Sequence, residues 1–124
     1  MSDGGDVVVL VGHCGPDEWM LRSAIQRALP EAEIEVVHDD AGMQAHRTSG
    51  RLLLVNRVLD GGFANTSGLD LLAEAVEGGA SAMLISNFQD AQALAQSKGA
   101  IEGFGKSAVN DQATMDLLQA AHRQ

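Results

Sequence analysis

The 124-residue chain reads as an α/β protein, a five-stranded parallel sheet with helices on both faces. Three observations predict it. Apolar runs of strand length at 7–11, 34–37, 52–56, 82–86 and 101–104 alternate with segments of helical or loop character. That rhythm is the mark of parallel strands joined by right-handed crossovers. The runs are continuous rather than alternating, as in strands covered on both faces. The central run, Leu52-Leu53-Leu54-Val55, ends on polar Asn56, and sheets of this class place their ligand crevice at the carboxyl ends of the strands.

Each element has a local reason. Val7-Val8-Val9-Leu10-Val11 is β-branched and apolar, and Gly12-His13-Cys14-Gly15 ends it with turn chemistry. Pro16 suits the start of a helix, and Asp17 and Glu18 suit the positive end of its dipole. Leu21, Ala24, Ile25, Ala28 and Leu29 recur at helical spacing opposite Arg22, Gln26 and Arg27, and Pro30 stops the run. Residues 34–37 form a second strand closed by His38-Asp39-Asp40, and 41–46 is a weak helix or a loop.

After Asn56 a Gly-rich loop, 57–68, carries Asp60-Gly61-Gly62-Phe63, whose Phe63 is read as a lid over the Asn56 region or as a partner contact. Ser67 with Asp70 three residues on predicts a capping box for a helix whose face is Leu69, Leu72, Ala73 and Val76, ended by Gly78-Gly79. The fourth strand ends on Ser86. Asp90 is expected to cap a helix with Ala91, Leu94 and Ala95 inward, closed by Gly99. Asn110 or Asp111 starts the last helix, with Ala113, Leu117, Leu118 and Ala121 inward.

Composition excludes several functions. Seventeen acidic against eight basic residues give a net charge of −9, with no Lys/Arg cluster to displace counterions, so nucleic-acid binding is not expected. Trp19, Phe63, Phe88 and Phe104 are the aromatic residues, too few for a stacking platform. No segment approaches membrane-span length. One cysteine, Cys14, and a polar, acidic start imply a reducing cytoplasm. Length predicts one domain over 1–124, with 1–5 a frayed tail.

Several residues together carry a family resemblance. Asn56 stands at the end of the third strand. Ser67-Gly68-Leu69-Asp70-Leu71-Leu72 follows it, Ser86 ends the fourth strand, and Gly99-Ala100 leads into Gly103-Phe104-Gly105-Lys106. Across nearly the whole chain this resembles the receiver domain of bacterial response regulators, a flavodoxin-like fold. There an aspartate takes the place of Asn56, an Asp-Gly-Leu-Glu-Leu-Leu segment matches 67–72, and a Lys follows a Gly-Ala run. The resemblance implies strand order 2-1-3-4-5, with Gly12, His13, Asn56, Ser86 and Lys106 converging on one edge.

The departures shape the functional expectation. Receivers hold Mg²⁺ with two acidic residues after the first strand, where this chain has Gly12, His13 and Cys14. Mg²⁺ wants carboxylate and water oxygen, and imidazole suits softer metals. An Asn amide is not the carboxylate nucleophile that forms an acyl phosphate. Lys106 is followed by Ser107 instead of proline, and the position three before it, often aromatic in receivers, is Gly103. The loop after Asn56 is about four residues longer than is usual in receivers. The expectation is a degenerate, or pseudo-, receiver. It is a stand-alone two-component signalling module without an output domain, not an enzyme. It uses no cofactor, is a monomer or weak homodimer, and acts on a protein partner through the face of the fourth helix, fifth strand and last helix.

An alternative from the residues is a small-ligand, metal or redox sensor at the His13/Cys14/Asn56/Lys106 edge, with His13, Cys14 and His38 as metal or redox groups. Their spacing matches no standard ligand motif. Lys106 is expected either solvated or locked against a carboxylate, with Asp17, Asp39 and Asp40 as candidates. Seven residues separate Cys14 from Arg22 where a phosphatase loop needs five. Gly105-Lys106-Ser107 lacks the first Gly of a P-loop, since Ala100 stands there.

Overall fold

In the computed structural model, which describes residues 7–46 and 50–122, the parallel sheet has the order β2-β1-β3-β4-β5. Its strands are β1 (Val7–Val11), β2 (Glu33–Val37), β3 (Arg51–Asn56), β4 (Ser81–Ile85) and β5 (Ile101–Phe104). The helices are α1 (Gly15–Ala28), α2 (Asp40–Met43), α3 (Gly68–Glu77), α4 (Gln89–Ser97) and α5 (Gln112–His122). The expected tail at 1–5 lies outside the described residues.

The continuous apolar runs have the physical cause inferred for them. Along β1, Val8 and Leu10 enter one core with Leu52, Leu54, Met83 and Ile85, against Leu21 and Ile25 of α1 and Leu118 of α5. Val9 and Val11 enter the other with Leu53, Val55 and Leu84, against Leu72 and Ala75 of α3 and Ala95 of α4. Alternate side chains go to opposite faces, and both faces are dry. The three central strands are in register, Val11 beside Val55 and Val55 beside Leu84, so their carboxyl ends finish level. The ladder between β4 and β5 shifts register between Met83 and Ile85.

Local signals hold in most places. Pro16 sits in the first turn of α1, and Leu29 caps its end before Pro30. The 41–46 segment is α2 followed by a 3-10 turn, Gln44–His46, with the Asp39 carboxylate accepting from Gly42 N at 2.7 Å. Ser67 Oγ accepts from Asp70 N at 3.2 Å, which is half of the expected capping box. The other half is rerouted through Asn65, whose Oδ1 accepts from Ser67 N and whose Nδ2 donates to Asp70.

Five expectations need correction. Phe88, not Asp90, is the N-cap of α4, so Asp90 is a first-turn residue that favours the dipole without capping. Leu94 faces outward, because the short α4 turns only Ala95 fully into the core. Ala113 is exposed, and Thr114 takes the inward place, its hydroxyl satisfied by Ala108 O at 2.6 Å. On α3 the buried side chains are Leu71, Leu72 and Ala75, with the expected Leu69 and Val76 only partly buried beside them and Ala73 outside the core cluster. Of the two starts read for α5, Asp111 holds, its carbonyl accepting from Thr114 and Met115, while Asn110 accepts from Arg27 Nη2 at 2.6 Å. Phe63 is neither lid nor contact. It is buried in the core on the α3 side with Leu59. The loop can bury it because it has paired backbone: Leu59 N donates to Thr66 O, Asp60 N to Gly12 O and Gly62 N to His38 O, at 2.8, 2.9 and 2.7 Å.

Candidate functional site

Level strand ends bring Asn56, Ser86 and Lys106 together at the carboxyl edge of the sheet. Asn56 is the last residue of β3, Ser86 follows β4, and Lys106 opens the 3-10 turn after β5. A cleft of about 200 Å³ lies between them, completed by Arg57, Val58, Ile85, Asn87 and Phe88.

Every polar atom of the Asn56 amide is engaged within the fold. Both its protons are used, Nδ2 donating to Gly12 O at 3.0 Å and Val58 O at 2.8 Å. Its Oδ1 accepts from Lys106 Nζ at 3.2 Å. Lys106 Nζ also pairs with the Asp17 carboxylate at 2.7 Å, both side chains about a quarter exposed. Of the three carboxylates considered, Asp17 is therefore the partner, since Asp39 caps α2 and Asp40 accepts from Ala64 N. The Lys106 hydrogen bond holds the Asp17 carboxyl below the usual range against an opposing cost of burial, and the Cys14 thiol adds a further hydrogen bond. The result is a closed chain of contacts, Cys14 to Asp17 to Lys106 to Asn56 to Gly12.

Gly12 belongs to this edge as backbone. Its φ is +74°, and a Cβ there would lie 2.6 Å from Leu59 Cδ2 and 3.0 Å from Leu59 Cα. The long loop has moved Leu59 into the space a side chain at position 12 would need. Gly12 O accepts from both Asn56 Nδ2 and Asp60 N, so both its lone pairs are engaged.

His13 leaves the edge. It is 2% exposed, with Nε2 2.8 Å from Leu54 O. A carbonyl oxygen only accepts, so Nε2 carries the proton and Nδ1 is a bare lone pair without a partner among the described residues. Burial pushes its pKa down to about 4, with the Lys106 charge acting the same way and the Leu54 bond opposing. His38 points elsewhere, toward the Glu18 carboxylate at 3.0 Å. Among the described residues no three His, Cys, Asp or Glu side chains stand together as a metal would need. The expected grouping of His13, Cys14 and His38 is thus not assembled, because His13 turns into the core at the end of β1.

Sequence reasoning missed four residues that shape the cleft: Arg57, Val58, Asn87 and Phe88. The Arg57 guanidinium lies over the Phe88 ring, 5.2 Å from its centroid. Asn87 Oδ1 accepts from Ser107 N and Oγ at 3.2 and 3.0 Å, which fixes the turn carrying Lys106. A polar pair at a strand end, Ser86-Asn87, was the available signal.

Comparison with solved structures places this architecture. The signal receiver domain of a DNA-binding response regulator from Colwellia psychrerythraea matches with a TM-score of 0.65 at 15% identity, over 95% of this chain and 98% of that one. A response regulator receiver domain from Rhodospirillum rubrum matches at 0.61 and 15%, over 94% and 90%. The Mn²⁺-bound form of the response regulator Rcp1 matches at 0.53 and 16%, over 92% and 89%. No family model and no curated protein matches the sequence. The chain has the receiver fold of response regulators, a flavodoxin-like sheet over nearly its whole length.

A divalent cation of the receiver kind does not fit the residues present. The acidic pair after β1 is absent, the Gly12 carbonyl is saturated, and Asn56 Oδ1 and the Asp17 carboxylate are both held by Lys106. The edge offers one amide oxygen and one carboxylate, both already paired with an ammonium, where a hard cation wants several free oxygens.

Proposed function

We propose that this chain is a receiver-like signalling module that acts by contact with protein partners and does not take up a phosphoryl group on an aspartate, and that it is not an enzyme. The observation that carries the reading is the internally paired Asn56–Lys106–Asp17 cluster at the edge of the sheet. An amide stands where a carboxylate nucleophile would be needed, with both its protons given to backbone carbonyls and its oxygen held by Lys106. The ion pair at 2.7 Å holds the lysine on Asp17, so the group that would neutralise a phosphoryl oxygen is already neutralised. The face of α4, β5 and α5, implied by the resemblance, is part of the proposal as a protein-contact face.

The test is an amide NMR titration with Mg²⁺ and beryllofluoride, a mimic of a phosphorylated aspartate. No saturable shift is expected at Asn56 or Lys106. Clear saturation at those two positions would sink the reading.

A further inference from the structure

The cluster just described leaves one cation uncommitted. Among the described residues no carboxylate pairs with Arg57, and its recorded contact is the Phe88 ring. Lys106 and Asp17 cancel, so the cleft carries a formal charge of about +1 in a chain of net −9. The donors around it also have capacity left. Ser86 Oγ accepts from Phe88 N at 3.2 Å, while its own proton has no acceptor among the described residues. Asn87 uses its oxygen on Ser107 and leaves its NH₂ uncommitted. Two large apolar side chains flank these donors on the open side, Val58 at 54% and Phe88 at 62% exposure.

We infer that this cleft is a docking site for a protein partner that inserts one Asp or Glu side chain between Arg57 and Ser86–Asn87 and lays apolar neighbours on Val58 and Phe88. The inference rests on the reading of the chain as a protein-contact module. Three arguments select the occupant. A volume of about 200 Å³ suits a single side chain and falls short of the ~300–1,000 Å³ typical of small-molecule sites. A net charge of +1 matches one carboxylate better than a phosphate dianion, and a guanidinium fork pairs with a carboxylate in two parallel bonds. The strongly acidic remainder of the chain repels acidic segments, so such a segment is admitted where a cation is left unpaired. Phe88 restricts the guanidinium by stacking under it, which reduces the ordering cost on binding.

The experiment uses the whole chain and the peptide acetyl-Gly-Leu-Glu-Leu-Gly-amide at millimolar concentration, followed by NMR. Saturable shifts are expected at the Ser86, Asn87 and Phe88 amides and at Arg57 Nε. The version with Gln in place of Glu should produce none. Arg57→Gln should weaken binding at least tenfold with an unchanged thermal melt, since Arg57 is exposed. Phe88→Ala should weaken it several-fold. Absence of saturation, equal binding of the Gln peptide, retention of affinity in Arg57→Gln, or tighter binding of inorganic phosphate on the same atoms would each overturn the inference. The beryllofluoride titration reads different atoms, so loss of the docking site leaves the reading of a dead phospho-site standing, and the reverse.

Discussion

His13 shows how one residue can look functional in sequence and become structural in the fold. Next to Cys14 at a strand end it resembles half of a metal or redox site. Its ring turns under the sheet edge, donates to Leu54 O and leaves Nδ1 dry. Placing a proton on Nδ1 would bury a charge near Lys106, which is why its pKa falls to about 4. The consequence for stability has a definite sign. Above pH ~6.5 neither state holds the extra proton and His13 has no effect on the pH dependence. Between ~6.5 and 4 the unfolded chain binds it and the native chain does not, so stability falls as pH falls, by about 1.4 kcal/mol per unit and ~3 kcal/mol in all. Asp17, held low by Lys106, contributes stability above the ordinary carboxyl pKa and loses it only at more acid pH. Denaturant unfolding between pH 7 and 5 should therefore show a one-proton slope. His13→Gln, which can still donate to Leu54 O, should flatten it. An unaltered slope in that variant would place the proton elsewhere.

At the scale of elements, the β4–α4–β5 corner is tied by one side chain. Gln92 Nε2 donates to Leu84 O at 2.8 Å and Ser86 O at 3.1 Å, and lies 3.4 Å from Phe104 O, bridging the register shift between the two strands. Gly103 makes room for this tie. A Cβ there would lie 2.1 Å from Leu84 O and 3.0 Å from Gln92 Oε1. Gly103→Ala should cost about 1–3 kcal/mol in urea unfolding, because backbone must move to relieve the clash. Gly15→Ala, with nothing within 4 Å of the added methyl, should be neutral or stabilising by up to ~1 kcal/mol. Equal effects would show that the corner is not sterically closed. The same corner explains what the sequence could and could not tell. Strand alternation and the face of α1 were legible because each is a local period repeated over many residues, whereas the face of α3 was read rotated, with Ala73 inward in place of Leu71 and Ala75. The cap of α4, the outward Leu94 and the inward Thr114 were not, because short helices leave orientation to tertiary contacts. Asn56, Ser86 and Lys106 were legible as strand-end residues. Phe63 was not, because its burial depends on loop hydrogen bonds to Gly12 and His38, far away in sequence. Arg57 and Phe88 were overlooked for the same reason, since they meet only across two loops.

For the molecule as a whole, the question is whether its edge and its α4–β5 corner respond together. The cluster at the edge joins three places: α1 through Asp17, β3 through Asn56 and the turn after β5 through Lys106. The corner is held separately by Gln92 and Gly103, with no side chain of the cluster in that tie. A switching receiver would need a two-state element biased by both places, and here each is tied by its own set of bonds. Lys106→Met isolates the issue. It removes the cation from a partly exposed pair, so the cost should be modest, about 1 kcal/mol, and it leaves Asp17 without its partner. Hydrogen exchange should then rise in the first turn of α1 and in the 57–67 loop, whose anchor runs through Asn56 to Gly12 and Val58. The amides of β4, α4 and β5 should keep their protection, because Gln92 still spans their carbonyls. If loss of Lys106 instead loosens α4 and β5 as much as it loosens α1, the two places are coupled. The molecule would then retain the transmission of a working receiver despite its altered edge.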